Sequence, residues 1–454
     1  MFQRFYDEGL AQASFLIGCD RSRQMAVVDP RRDASIYVEA ARQAGGTIVA
    51  AIETHVHADF VSGACELASV GARVLAGPGA GLAFDHHEVR DGEVFTLGDV
   101  ALTFLHTPGH TFEHVALAVH APEQPDRLLT GDLLFVGGVG RPDLVGDAQT
   151  RALAGRLFDS LQRVMQLDPR VEVHPGHGAG SLCGAGIASE PSSTIGREAE
   201  QNPMLRYADR EAFAAALLAD VPGRPAYFAR MKRVNQEGPE LLGLVNGMRR
   251  LPGIRPAAAA ALAADGAILI DLRSAEAFAQ GHPDGAINLG YGSKVGYWGG
   301  WVLPAATPLI LIGADAGRAQ DAAVQLLRVG FDRVEGLVDG GFEAWSAAGL
   351  PTAEIAQAAA DDLRSDSRRV LVLDVRSARE WQAGHVPGSI NIPAGELPDR
   401  FDELPQDAAI ATICEGGYRS SLAASLLARE GLTDIVNVTG GMAAYRALPE
   451  AARP

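Results

Sequence analysis

The chain has 454 residues, of which 47% are hydrophobic and 21% charged. This composition excludes a disordered or fibrous protein and, at ~150 residues per domain, suggests about three domains. The formal charge of −17, with a pI near 5.1, argues against nucleic acid as a partner, because phosphate backbones are gripped by clustered Lys and Arg.

No apolar run approaches the ~18 residues a bilayer span needs. Asp7 and Glu8 fall where a signal peptide would carry its apolar segment. A cytoplasmic protein without a membrane partner is therefore expected. The cysteines Cys19, Cys65, Cys183 and Cys414 form no CxxC pair and read as free thiols of a reducing compartment.

Strand-like apolar runs lie at residues 14–17, 25–28, 47–52, 74–76, 100–105, 115–119, 128–129 and 171–173. Helical runs at 34–44, 62–70 and 151–166 fall between them, and 190–245 reads as mostly helical. This is an α/β pattern with strands enough for two sheets. Four strands run into loops of metal-binding character: THVHAD (54–59), HTPGHTFEH (106–114), TGD (130–132) and HPGHGAG (174–180). Carboxyl ends of strands in a layered α/β fold share one edge, so these distant residues can converge. Alternate residues of an extended segment point the same way, so His55 and His57 can face one ion. A lone HxH is more often an ordinary surface or capping pair; four such loops at strand ends carry far more weight.

The last 200 residues hold an internal repeat. ILIDLRSAEAFAQGHPDGAINL (268–289) matches VLVLDVRSAREWQAGHVPGSINI (370–392), which pairs Asp271 with Asp374, His282 with His385 and Asn288 with Asn391. A period near 100 residues is a duplicated domain rather than a solenoid. Each copy alternates strand and helix, which predicts a parallel sheet covered by helices. Linkers are expected around 248–257 and 350–366. The aromatic insert GYGSKVGYWGGWVLP (290–304) reads as a loop, folded on its own core or packed on a neighbouring domain.

The ordered set THVHAD, TPGHT, TGD and PGHG resembles the metallo-β-lactamase superfamily. Members with two metals carry HxHxDH, where this chain has Phe60 at the last position; a mononuclear site is the expectation. With GRPDL (140–144) and GHGAGSLCG (176–184), the segment resembles persulfide dioxygenases. The resemblance implies His55, His110 and Asp132 as ligands of one Fe(II) per chain, a two-histidine, one-carboxylate set that leaves positions open for substrate and O2. It implies His57, Asp59 and His177 as groups orienting those ligands. Arg141 is a candidate anchor for a carboxylate of a glutathione-like thiol, or a surface charge. Cys183 is a candidate channel or acceptor thiol, or a packed small residue.

Residues 373–393 and ICEGGYRSS (413–421) resemble rhodanese domains and their active loop. Cys414 stands between an apolar strand and a helix, in a glycine-rich turn. Backbone N–H groups of Glu415, Gly416, Gly417 and Tyr418, the helix N-terminus and Arg419 would stabilise a thiolate and an anionic sulfur donor. Glu415 departs from the basic or polar residue many rhodaneses place there and weakens attraction for thiosulfate. In the first copy Gly313 aligns with Cys414, so that copy lacks the nucleophile.

The expected architecture is an αββα metallo-β-lactamase sandwich (1–247), an inactive rhodanese-like domain (257–352) and an active one (362–454). The implied chemistry is oxidation of a low-molecular-weight persulfide, such as glutathione persulfide, by O2. It yields sulfite and is coupled through Cys414 to thiosulfate formation or use. The competing reading is a zinc thioester hydrolase of the glyoxalase II type with a sulfurtransferase tail. A non-enzymatic alternative is a persulfide sensor or scaffold. A homo-oligomer is expected from family habit.

Overall fold

The computed structural model describes residues 1–219, 221, 223–365, 370–405 and 408–449. The end of the second expected linker (366) and the last five residues of the expected third domain fall outside them. Contacts divide the chain into two compact units: residues 1–248 with 327–329, and residues 249–326 with 330–454.

The first unit is built on two six-stranded sheets. One runs Phe2–Asp7, Gln12–Gly18, Gln24–Val28, Thr47–Glu53, Arg73–Ala76, His87–Glu88. The other runs Ser193–Thr194, Glu172–Pro175, Arg127–Gly131, Val115–His120, Val100–His106, Val94–Leu97. Phe15, Ile52, Leu75, Phe104, Leu117 and Leu129 pack between the sheets. On the far face of the first sheet, Leu16, Val27 and Val74 pack against Tyr37 and Ala41 of the helix Ser35–Gln43. On the far face of the second, Ala116, Leu128 and Val173 meet Leu157 and Leu161 of the helix Asp147–Val164. The layers are therefore αββα. Strands such as Gln12–Gly18, buried throughout, are apolar-rich because both faces are covered; each large apolar side chain so buried contributes roughly 1.5–3 kcal/mol.

The second unit displays the duplication. Its first copy has five parallel strands in the order Gly253–Ile254, Val334–Val338, Leu309–Ile312, Ile268–Asp271, Ile287–Asn288. Its second repeats that order with Ala356–Ala358, Ile435–Val438, Ile410–Ile413, Leu371–Asp374, Ile390–Asn391. Both segments expected as linkers thus contribute an edge strand, because two or three residues suffice to pair with a neighbour. The expected loop at 290–304 contains a helix, Val295–Val302.

Candidate metal centre and sulfur-carrier loop

In the first unit, His55, His110, Asp132 and His177 follow the strands Thr47–Glu53, Val100–His106, Arg127–Gly131 and Glu172–Pro175, and all four are buried. Asp132 Oδ2 lies 3.9 Å from His55 Nε2 and 3.5 Å from His110 Nε2. His55 Nε2 and Asp132 Oδ2 are buried without a hydrogen-bond partner. Such orphaned atoms are costly unless something absent from the protein itself completes them.

The opposite ring nitrogens are held: His55 Nδ1 is 2.9 Å from Thr54 Oγ1 and His110 Nδ1 is 2.7 Å from the Arg141 carbonyl. Fixing each Nδ1 aims each Nε2 into the gap, the support that metal-bound histidines usually have. Burial holds His55 well below its ordinary pKa, with His57 and His110 adding repulsion; burial also lowers His110. Both imidazoles are kept neutral, the form that binds metal. Burial would raise Asp132, but His177 and His110 outweigh it and hold the carboxyl well below the carboxylate range. Two neutral imidazoles and one carboxylate converge, and the set fits a divalent cation.

The expected orienting residues have distinct partners. His177 bridges Asp132 (Nδ1 to Oδ1, 2.7 Å) and Asp59 (Nε2 to Oδ2, 2.8 Å); against its burial these carboxylates push it up to about 10. His57 does not face the same gap as His55, as alternation suggested. Its Nε2 is 3.1 Å from Asp29 Oδ1 and 3.3 Å from Glu53 Oε2. Burial would lower His57, yet Asp29 and Glu53 raise it well above the ordinary value. Phe60, fully buried, sets its ring 4.4 Å from that of His57.

Cys183 Sγ lies within 4.8 Å of ligand atoms of Asp59 and His177, and burial pushes its thiol well up. Arg141 is not the surface charge of the alternative reading: it is buried, paired with both Asp143 oxygens at 2.7 Å, and donates to the Leu182 carbonyl, so it braces the loops.

Three supporting residues escaped sequence reasoning. Asp29 accepts from Thr54 N–H and Oγ1 and meets His57. Glu53 meets His57 and Ser62. His114 Nε2 accepts from the Asp132 N–H at 3.0 Å. Their only signal was an acidic or imidazole side chain at a strand end. Gly131 between them has φ +48°, and a Cβ there would sit 2.6 Å from His114 Nε2, so this turn requires glycine.

In the second unit, Cys414 follows Ile410–Ile413 and is buried. Gly417 N–H donates to its Sγ at 3.1 Å, and the thiol lies 3.4 Å from Ser420 Oγ. Gly417 (φ +109°) caps the helix Tyr418–Arg429. Arg419 pairs both terminal nitrogens with Glu380 at 2.7 Å and acts on Cys414 through its field. Glu415 turns to Arg446 and Arg376, while Gly416 and Tyr418 line the open pocket over Cys414.

Two enzyme-type folds, one with a buried metal-ligand set and one with a cysteine cradled at a helix start, define a metal-binding sandwich joined to sulfurtransferase-type domains. The metallo-beta-lactamase superfamily profile matches residues 8–177, and the rhodanese-like domain profile matches 256–348 and 356–448. A crystal structure of a metallo-beta-lactamase from Staphylococcus aureus subsp. aureus COL is 32% identical with a TM-score of 0.65, covering 74% of this chain and 98% of that one. The chain belongs to the metallo-β-lactamase superfamily, in a form extended by two rhodanese-like domains. Hydroxyacylglutathione hydrolases of Polaromonas sp. (strain JS666 / ATCC BAA-500) and Tolumonas auensis (strain DSM 9187 / NBRC 110442 / TA 4) are 35% and 33% identical over 168 and 162 residues, 36% and 35% of this chain. The chain spans 61% and 58% of those two proteins. No helix among the described residues is long and apolar enough to cross a membrane.

Proposed function

We propose that the first unit oxidises a low-molecular-weight persulfide with O2 at one Fe(II), and that Cys414 carries sulfane sulfur to or from sulfite. The observation that carries this reading is the convergence of His55 Nε2, His110 Nε2 and Asp132 Oδ2, two of them buried orphans. A facial set of this type leaves open positions, and bound Fe(II) would supply the redox chemistry that O2 requires and Zn(II) lacks. Overall, RSSH, O2 and water give RSH, sulfite and two protons; the outer sulfur loses four electrons and O2 gains them. The chain's own residues hold the ligands neutral (His55, His110), fix their rings (Thr54 and the Arg141 carbonyl) and keep Asp132 ionised (His177).

The zinc thioester hydrolase is the second reading, favoured by the identity to hydroxyacylglutathione hydrolases. Against it, the HxHxDH segment ends in Phe60, and Asp59 and His177 are bonded to each other. Elemental analysis of the purified chain, with O2 uptake on glutathione persulfide, separates the two. One iron per chain and O2 consumption are expected; two zincs with thioester cleavage and no O2 uptake would overturn the proposal.

A further inference from the structure

Beside the loop 54–59 of the first unit lies a small, largely enclosed cavity that the chemistry above does not use. It is bounded by Val56, Ala80, Leu82 and Phe84 and, on the side of the metal-ligand set, by His55 and His57. It leaves about 10 Å³ for the centre of a molecule the size of water, close to the least that houses one small molecule. A glutathione persulfide is far too large to enter.

The polar residues of its wall are engaged with one another or with the backbone. Ser62 Oγ donates to Glu53, and Glu53 holds His57. Asn235 donates to the His57 and Phe60 carbonyls at 2.8 Å and accepts from the Ser62 N–H at 2.9 Å. Glu113 accepts from the Val56 N–H at 3.1 Å. Burial pushes the Cys65 thiol up to about 11, and a protonated cysteine counts as a small hydrophobe. The rest of the wall is apolar, centred on the buried cluster Val56, Ala76 and Ala80 with Leu82 packed on it. Two wall nitrogens are buried without a partner, His55 Nε2 and His57 Nδ1, and the first belongs to the metal-ligand set. The one that remains falls short of the two to four partners that hold an ordered water.

A dry, apolar space of this size suits a molecule that makes no hydrogen bonds, and O2 is the one such reactant in the persulfide oxidation. We propose that this cavity is the dioxygen pocket of the metal centre: O2 collects among Val56, Ala76 and Ala80 and reaches the ligand set past the His55 side chain. The inference rests on the persulfide-oxidation reading above and deepens it. No bond forms or breaks in the cavity; its part is to raise the concentration of O2 next to the ligands.

Two readouts on the full chain test it. Xenon, an apolar guest of dry cavities, reports the space directly by diffraction from crystals of the purified chain under xenon pressure. Steady-state O2 uptake on glutathione persulfide by the iron-loaded chain reports its use. Xenon should occupy the cavity of the wild-type chain. Ala80→Val adds two methyl groups to the wall; it should exclude xenon and raise KM for O2 roughly tenfold, the penalty of forcing a guest into an overpacked space. The kcat and the KM for persulfide should hold. Leu82 is partly exposed, so Leu82→Ala enlarges the cavity and spares the fold; xenon occupancy should rise and KM for O2 should fall. If Ala80→Val does not fold, Leu82→Ala decides. A wild-type cavity that takes up no xenon, or a KM for O2 unchanged in either folded variant, overturns the inference while the persulfide-oxidation reading stands. If the iron-loaded wild-type chain consumes no O2 on persulfide, that reading fails and takes the inference with it.

Discussion

Thr54 shows how much of the candidate metal centre rests on a residue that would not itself touch an ion. Its hydroxyl lies 2.9 Å from Asp29 Oδ2 and 2.9 Å from His55 Nδ1. It couples the carboxylate that steadies His57 to the ring that presents Nε2. Thr54→Val keeps the volume and removes both bonds. One buried Asp29 oxygen then loses its donor, at a cost of roughly 1–3 kcal/mol. The His55 ring also loses its tautomer lock, which typically weakens metal binding by about 10–100-fold. Competition titration with a chelator should register that loss while the far-UV spectrum stays native. Unaltered affinity would mean that Thr54 serves packing alone.

Elements carry the next layer of control, and the Cys414 loop is the clearest case. The helix Ala378–Gln382 begins with a capping box in which Ser377 and Glu380 exchange bonds, and the same Glu380 binds Arg419 at the start of the next α-helix, Tyr418–Arg429. Arg419 holds the Glu380 carboxyl down at about 2. Its unfolded value is near 4.3. The ion pair therefore stabilises the fold above pH ~4.3 and loses that contribution as pH falls toward ~2. Glu380 is 36% exposed, so solvent screening limits the contribution to about 1 kcal/mol or less. Glu380→Gln keeps the capping box and removes the charge. Its stability deficit should be greatest near neutral pH, shrink below pH ~4.3 and vanish only near pH ~2; a deficit independent of pH would locate the effect in the cap.

This scale also separates what the chain betrays from what it hides. The αββα layering was legible because strands covered on both faces become apolar runs, and the metal-type side chains because each stands where such a run stops. The strand Phe2–Asp7 was hidden: it is an edge with only Asp7 fully buried, so FQRFYD carries no clear period. The helix Val295–Val302 was hidden for the opposite reason. Gly296, Gly299 and Gly300 lower its helix propensity, yet a Cβ at Gly296 would strike the Gln325 carbonyl at 2.3 Å and one at Gly299 would meet Leu326 at 2.6 Å. Close packing selected the glycines that made the segment read as a loop. The burial of Arg141 beside Asp143 leaves no trace in GRPDL.

At the scale of the whole chain, two chemistries share one polypeptide without sharing residues. The metal-ligand set draws on residues 55–177, and the sulfur-carrier loop on 413–421 with its facing helix. Tethering raises the effective concentration of whatever passes between them but creates no new contact by itself. Two variants separate tethering from obligate hand-over. Cys414→Ser should lose sulfur transfer to sulfite and keep O2 uptake on added glutathione persulfide. His110→Ala, which leaves only His55 and Asp132 to hold an ion, should lose O2 uptake and keep transfer from thiosulfate. If sulfite is released to solvent between the sites, an equimolar mixture of the two variants, supplied with persulfide and O2, should make thiosulfate slowly at first and then approach half the wild-type rate as sulfite accumulates. A mixture that consumes O2 at half the wild-type rate yet never forms thiosulfate, although each variant retains its own half-reaction, would require the intermediate to pass within one chain.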